Sequence, residues 1–266
     1  MSELRAQAVA LLAESDPELK ALGSQRLYRQ LCKGEIAIDP AAAPATPAAA
    51  GRPQRPPLVE PRRLTSRGLG SVEGRQAFVH AIAHIEFNAI NLAWDAVQRF
   101  SGMPEQFYRD WARVADDESR HFLMLRGRLR EIGADYGDFS AHNGLWEMAE
   151  KTAHSCTDRM ALVPRVLEAR GLDVTPGMII KLRHLEDHVT ADILQIILNE
   201  EVDHVAIGTR WYLWCCQRDG LDPEAHFFSL VSQHALAAIR SPFNDDARRE
   251  AGFSEGELAW INAQAR

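Results

Sequence analysis

The chain has 266 residues, 46% hydrophobic and 25% charged, with a formal net charge of −7 at pH 7. That length supports one sizeable core with extensions or two small domains, and the composition is that of an ordinary soluble protein. The acidic balance gives no global case for nucleic acid or an anionic membrane as a partner. Glu3, Arg5, Glu14, Asp16, Glu18 and Lys20 keep the short apolar run at 8–13 from being the core of a secretion signal. The longest stretch without Lys, Arg, Asp or Glu, residues 225–239, is shorter than the ~20 apolar residues of a membrane span. A cytoplasmic protein is therefore expected, with Cys32, Cys156, Cys215 and Cys216 as reduced thiols, because no CxxC spacing occurs.

Residues 1–39 read as a helical element: Pro17 follows Ser15 and Asp16 at a helix start, and Leu19, Leu22, Leu27 and Leu31 form an approximate apolar stripe. Residues 40–71 form an extended arm, with seven of the thirteen prolines between 40 and 61 and with Arg52, Arg55, Arg62, Arg63 and Arg67 set against Glu60. From 72 to 220 helical periodicity dominates and no sustained two-residue alternation occurs. Helix A is predicted over 72–100, ended by Ser101-Gly102, and helix B from Pro104 to 132, stopped by Gly133. A connection at 133–143 leads to helix C, from 145 to at least 172, with Pro164 a kink and Gly171 and Pro176 breaks. Helix D covers 190–218, and residues 221–266 form a helical extension with one helix over 223–239, an irregular segment and a short terminal helix from Ser254.

Within this frame two Glu-x-x-His pairs stand out, Glu118/His121 and Glu201/His204. Residues three apart on a helix share a face, so each pair presents one carboxylate and one imidazole to a single metal ion. Glu86 precedes Glu118 by 32 residues and Glu168 precedes Glu201 by 33. With the turn at 101–103 midway, helix A climbs ~24 Å from Glu86 and helix B descends about as far to Glu118, so the two carboxylates end level on antiparallel neighbours. The second half repeats the arrangement, as an internal duplication would. The flanks are apolar: Ile82, Ala89 and Ala93 about Glu86; Trp111, Val114, Phe122 and Leu125 about Glu118; Leu194, Ile197, Val205 and Gly208 about Glu201. A carboxylate so placed must be protonated, paired or metal-bound. Four carboxylates and two histidines drawn from four helices form the ligand set of a two-metal bundle.

Asp117-Glu118-Ser119-Arg120-His121 resembles the Asp-Glu-x-Arg-His signature of ferritin-like di-iron oxygenases, and Glu200-Glu201-Val202-Asp203-His204 resembles its partner in the second half. Leu167-Glu168-Ala169-Arg170 is similar to the third-helix segment of the di-iron tRNA hydroxylases that act on a prenylated adenosine. His80-Ala81-Ile82-Ala83-His84-Ile85-Glu86, with Gly51-Arg52-Pro53 and Gly208-Thr209-Arg210-Trp211, resembles an uncharacterised bacterial family of ferritin-like proteins, over most of the chain from residue 51 onward. The resemblance implies an all-α, ferritin-like antiparallel four-helix bundle. It also implies one iron held by Glu86, Glu118 and His121, another by Glu168, Glu201 and His204, with Glu118 and Glu201 bridging and Mn or mixed Mn/Fe as alternatives. Asp117 and Asp203 are candidates to accept from a ligand histidine's distal nitrogen and fix its tautomer. Asp203 stands where the first half has Arg120, which weakens the symmetry without touching a ligand.

The leading expectation is an O2-dependent di-iron oxidoreductase acting on an organic substrate, either a modified tRNA nucleoside or a small metabolite, and supplied with electrons by a ferredoxin or flavoprotein. Ferroxidase or iron handling, and a metal-free helical scaffold, are the alternatives, and an oligomer is compatible with each. His80 and His84 lie on a different azimuth from Glu86 and are read as structural histidines, His184 and His188 as surface groups. Trp94, Trp111 and Trp211 are read as core, and Cys215-Cys216 as a packing site. The arginine-rich arm is expected to pair with surface carboxylates in preference to phosphate, since it lacks the aromatic interleaving of single-strand binders.

Overall fold

A computed structural model describes residues 2–43, 50–65 and 67–264. Pro44 and Pro47 of the predicted arm lie outside the described residues. The described chain is helical apart from a parallel pairing of Ser2–Glu3 with Ile36–Ala37 and a single bridge between Leu58 and Ala141. It divides into two compact units, Met1–Trp146 and Glu147–Arg266. The division falls inside the 72–220 span, within the helix Gly144–Lys151. No helix among the described residues is long and apolar enough to cross a membrane.

In the first unit α1 (Leu4–Ala13) and α2 (Pro17–Cys32) lie against a long hairpin of α3 (Val72–Arg99) and α4 (Glu105–Glu131). Asp16 caps α2, accepting from the backbone of Glu18 and Leu19, and Pro17 occupies the first turn where its missing N–H is harmless. Ser71 caps α3 by accepting from Gly74 N–H at 3.0 Å. Gly102, at φ 71°, makes the turn into α4 and donates its N–H to Pro40 O at 2.7 Å. From Glu86 to Gln98 every residue of α3 is buried, with α4 and α1 packed against the helix. Trp94 is wholly buried, its Nε1 donating to Ser24 Oγ of α2 at 2.7 Å, and Trp111 is core as well.

Charged side chains also tie the first unit together. Arg5 donates to Val97 O and Gln98 O at the end of α3 and to Ala42 O. Lys20, wholly buried, donates its Nζ to Leu12 O at 3.1 Å, Gly51 O at 2.8 Å and Asn91 Oδ1, and lies over the Phe87 ring. His80 and His84 are buried: Gly137 N–H donates to His80 Nε2 at 2.9 Å, placing the imidazole proton on Nδ1, and His84 Nδ1 meets Tyr136 Oη at 2.9 Å. Burial pulls both imidazoles down to about 4, so they are neutral near pH 7. In the arm, Arg55 meets Asp138 at 3.5 Å, Arg67 meets Glu73 at 3.0 Å, and Arg62 and Arg63 meet Glu60.

The second unit corrects the expected third helix. After α5 (Gly144–Lys151) the chain breaks at 152–155, where Ser155 accepts from Asp158 N–H and starts α6 (Cys156–Leu162). A π turn (Val163–Glu168) follows, then α7 (Ala169–His184), which runs through both Gly171 and Pro176. Proline at 176 leaves the Leu172 carbonyl without its i+4 donor. Asn244 Nδ2 donates to that carbonyl at 3.2 Å, which explains why the helix continues. α8 (His188–Asp219) ends at Gly220, φ 68°, and His184 and His188 beside the α7–α8 turn are exposed. A β-carbon at Gly208 of α8 would lie 2.4 Å from Pro164, so glycine there lets the π turn sit against α8.

The C-terminal segment holds α9 (Pro223–His234), a 3-10 turn, α10 (Asp245–Glu250) and α11 (Glu255–Ala263). α11 begins after a Ser254/Glu257 capping box, as the sequence predicts; α10 stands where an irregular segment was expected. Arg165 of the π turn sits 4.7 Å from the Tyr212 ring centroid and 4.5 Å from those of Phe227 and Phe253, and pairs with Glu257 at 2.6 Å. Trp211 is buried, and all four cysteines are free, Cys156, Cys215 and Cys216 within the interior.

Two measurements probe these interiors. Burial, opposed by the charge of Glu14, pulls Lys20 down from 10.5 to about 7. Between those values the unfolded chain holds a proton that the folded chain has released, so stability rises with pH; the penalty is full below about 7. The unfolding free energy of wild type minus that of Lys20→Met should therefore grow by up to about 1.4 kcal/mol per pH unit in urea titrations above neutrality. A pH-independent difference would mean that Lys20 titrates like an exposed amine. Gly208→Ala should lower unfolding free energy by about 1–3 kcal/mol through overpacking against Pro164, read from the shift in urea midpoint; an unchanged midpoint would show that the contact relaxes freely.

Candidate metal centre

The α3–α4 hairpin brings Glu86, Glu118 and His121 together, as their spacing predicts. His121 Nδ1 lies 3.1 Å from Glu86 Oε2 and 3.5 Å from Glu118 Oε2, and the possible ligand atoms of the three residues all fall within 4.8 Å of one another. Glu86 is 4%, Glu118 2% and His121 0% exposed, so water contributes little to solvating these charges. The walls are apolar: Ala83, Ala89, Ile90, Val114, Phe122 and Leu125 are all buried. Tyr136 packs on the hairpin beside His80 and His84, its ring 5.1 Å from that of Phe122 and 5.5 Å from that of Phe87.

Burial pushes the Glu86 carboxyl up to about 8, the adjacent Glu118 charge pushes the same way, and the hydrogen bond with His121 opposes both. Two carboxyls held side by side away from water cannot both ionise comfortably without a compensating cation. The donor set of two carboxylates and one imidazole suits a divalent first-row metal, with oxygen ligands that also tolerate a higher oxidation state. The residues therefore fit a bound metal ion, and their chemistry alone does not choose among metals.

In the second unit Glu201 and His204 share a buried face of α8, with His204 Nδ1 3.4 Å from Glu201 Oε1. Glu168 is half-buried at the end of the π turn, the segment that packs against α8. Among the described residues, Glu168 and His204 belong to no group of three or more donors as tight as that of Glu86, Glu118 and His121. Asp117 accepts from Arg120 Nη2 at 2.7 Å, and Asp203 is exposed. Tyr136 escaped sequence reasoning because it lies in the non-periodic connection at 133–143. Its one signal was being the lone large aromatic beside glycine in that loop.

If the carboxyl pair is held together for a cation, removing one member should help the metal-free protein and harm the loaded one. Glu86→Gln is expected to raise unfolding free energy by about 1–2 kcal/mol near neutral pH in chelator, where it removes the cost of keeping a buried carboxyl protonated. The same change should weaken Co(II) binding by more than about tenfold, equivalent to ~1.4 kcal/mol, in calorimetric titrations. A variant that loses stability in chelator and binds Co(II) as wild type does would refute the assignment.

Residues 13–259 match the family described as "Protein of unknown function (DUF455)". An uncharacterised protein of Haemophilus influenzae is 46% identical over 216 residues, covering 79% of this chain and 75% of that protein. No solved structure matches the chain. With nearly its whole length matched, the buried Glu86/Glu118/His121 donors included, the chain belongs to the DUF455 family.

Proposed function

We propose that the protein is a ferritin-like di-iron oxidoreductase that uses O2 to oxidise an organic substrate. The observation that carries this reading is the convergence of Glu86, Glu118 and His121 in a closed apolar interior. The sequence repeats the same donor types at Glu168, Glu201 and His204 with nearly the same spacing. On this reading the chain is a ferritin-like four-helix bundle, with Glu86, Glu118 and His121 as the donors to one iron and Glu168, Glu201 and His204 as the donors to the other. Bound iron would supply the reduction of O2, with electrons from a ferredoxin or flavoprotein. The chain's own task is to hold the metals on anionic ligands, to fix the imidazoles, and to exclude bulk water with Val114, Phe122 and Leu125. Free thiols, two of them adjacent, suit a reducing compartment such as the cytoplasm.

Anaerobic ferrous titration followed by admission of O2 tests the proposal. Wild type is expected to bind two irons per chain and to consume O2 when a reductant is present; Glu118→Ala and Glu201→Ala should each lose the pair. No iron uptake would overturn the reading, and retention of both irons by either variant would refute the ligand set. Uptake of a large iron excess by a many-subunit shell would assign iron storage instead.

A further inference from the structure

We infer that the first unit carries a second site, separate from the metal donors, which binds a small organic anion. A cleft of about 350 Å³ lies between α3, the arm and the connection that follows α4, a volume within the range of small-molecule sites. Its α3 wall is Ala77, Ala81, His84, Ile85 and Asn88. At about 100° per residue these positions cluster on one side of the helix, and Glu86 falls on nearly the opposite side. A ligand in the cleft is therefore screened from the Glu86 carboxylate by the helix itself.

The cleft is built for negative charge on an apolar body. Arg63 and Arg67 line it, against a single acid, Asp138. Asp138 is already engaged, meeting Arg55 at 3.5 Å and accepting from Asp135 N–H at 2.8 Å. Glu73 takes the Nε edge of Arg67, whose guanidinium carries further donors and lies 5.5 Å from the Phe139 ring centroid, so the cation is braced over an aromatic face. Arg63 is only loosely held, 3.8 Å from Glu60. Between these cations and the small side chains of Ala77 and Ala81, a flat or short acyl body can lie on α3 while its carboxylate or phosphate reaches the guanidinium pair. Ser140 and His142 offer polar groups at the edge.

The floor of the cleft is rigid. His84 Nε2 lies 3.1 Å from His142 O, Asn88 Nδ2 donates to His84 O at 2.9 Å, and Ala141 exchanges backbone hydrogen bonds with Pro57 O and Val59 N–H of the arm. Arm, loop and helix are thus tied together around the cavity before any ligand arrives, which reduces the ordering cost of binding.

Fluorine NMR titration of the full chain with 4-fluorobenzoate, 4-fluorophenyl phosphate and the neutral 4-fluorobenzamide tests this inference. At least one anion should bind saturably, at least about tenfold more tightly than the amide, and lose about tenfold or more in affinity in the Arg63→Gln/Arg67→Gln double variant, since charge-assisted hydrogen bonds are lost. Whichever anion binds more tightly identifies the headgroup. Both arginines are exposed, and circular dichroism should show the variant folded. Binding should be the same in Glu86→Gln and with or without metal, which separates this test from that of the metal centre. Equal binding of the amide, equal binding by the double variant, or dependence on Glu86 would overturn the proposal. So would arginine-dependent binding of a ten-nucleotide oligothymidylate with no binding of either small anion, which would assign the cleft to nucleic acid.

Discussion

Placing two carboxyls side by side inside a hydrophobic interior is the constraint on which the first unit depends. Glu86 is buried among apolar neighbours on one side of α3, and that desolvation pushes its carboxyl up to about 8. α4 and α1 both pack against α3, whose other side keeps Ala81 and Ile85 exposed. The same helix meets a second buried charge, Lys20, through Asn91 and Phe87, with a different solution. Lys20 has three neutral oxygen acceptors, matching the three donors of an ammonium. Glu86 and Glu118 instead lie beside each other and a histidine, an acceptor-rich arrangement that favours a proton or a cation.

The α3–α4 hairpin was legible because each of its determinants is local. Helical periodicity, Ser101-Gly102 and Pro104 bracket the turn, and equal arm lengths on either side bring Glu86 level with Glu118. The third helical segment was not legible, because its course depends on contacts distant in sequence. Pro176 reads as a break until Asn244, from far along the chain, satisfies the Leu172 carbonyl. Pro164 reads as a kink, whereas the absence of a side chain at Gly208 on the neighbouring helix accommodates a π turn. Two local signals were present and unread: Ser155 three residues before Asp158, and Asn244 ahead of Asp245 and Asp246, each a helix start.

Donor types in the two halves match, but their supports differ. Glu86 sits within an uninterrupted α-helix, and its position follows from the 3.6-residue repeat alone. Glu168 closes a π turn, so its direction is set by one residue of extra winding that periodicity does not encode. Short π segments recur at functional sites because the extra residue re-aims a side chain without ending the helix. The same donor types in the two halves can therefore coexist with a different direction for the first carboxylate of the second.

That direction has to be held from outside the helix, and Arg165 is where the restraint acts. The guanidinium is wholly buried three residues before Glu168, beneath the rings of Tyr212, Phe227 and Phe253 and against Glu257. Phe227 belongs to α9, Glu257 to α11, and Phe253 to the turn between α10 and α11, so the C-terminal segment supplies most of what makes this cation tolerable. Removal of the Glu257 carboxylate alone would leave Arg165 a desolvated charge without its partner, a situation that destabilises by about 3–5 kcal/mol. Arg248 repeats the logic one turn further along, bonding both oxygens of buried Asp173 in α7 at 2.9 and 2.7 Å. Residues 221–266, which read as an extension in sequence, are thus structurally continuous with the π turn and clamp the segment that carries Glu168.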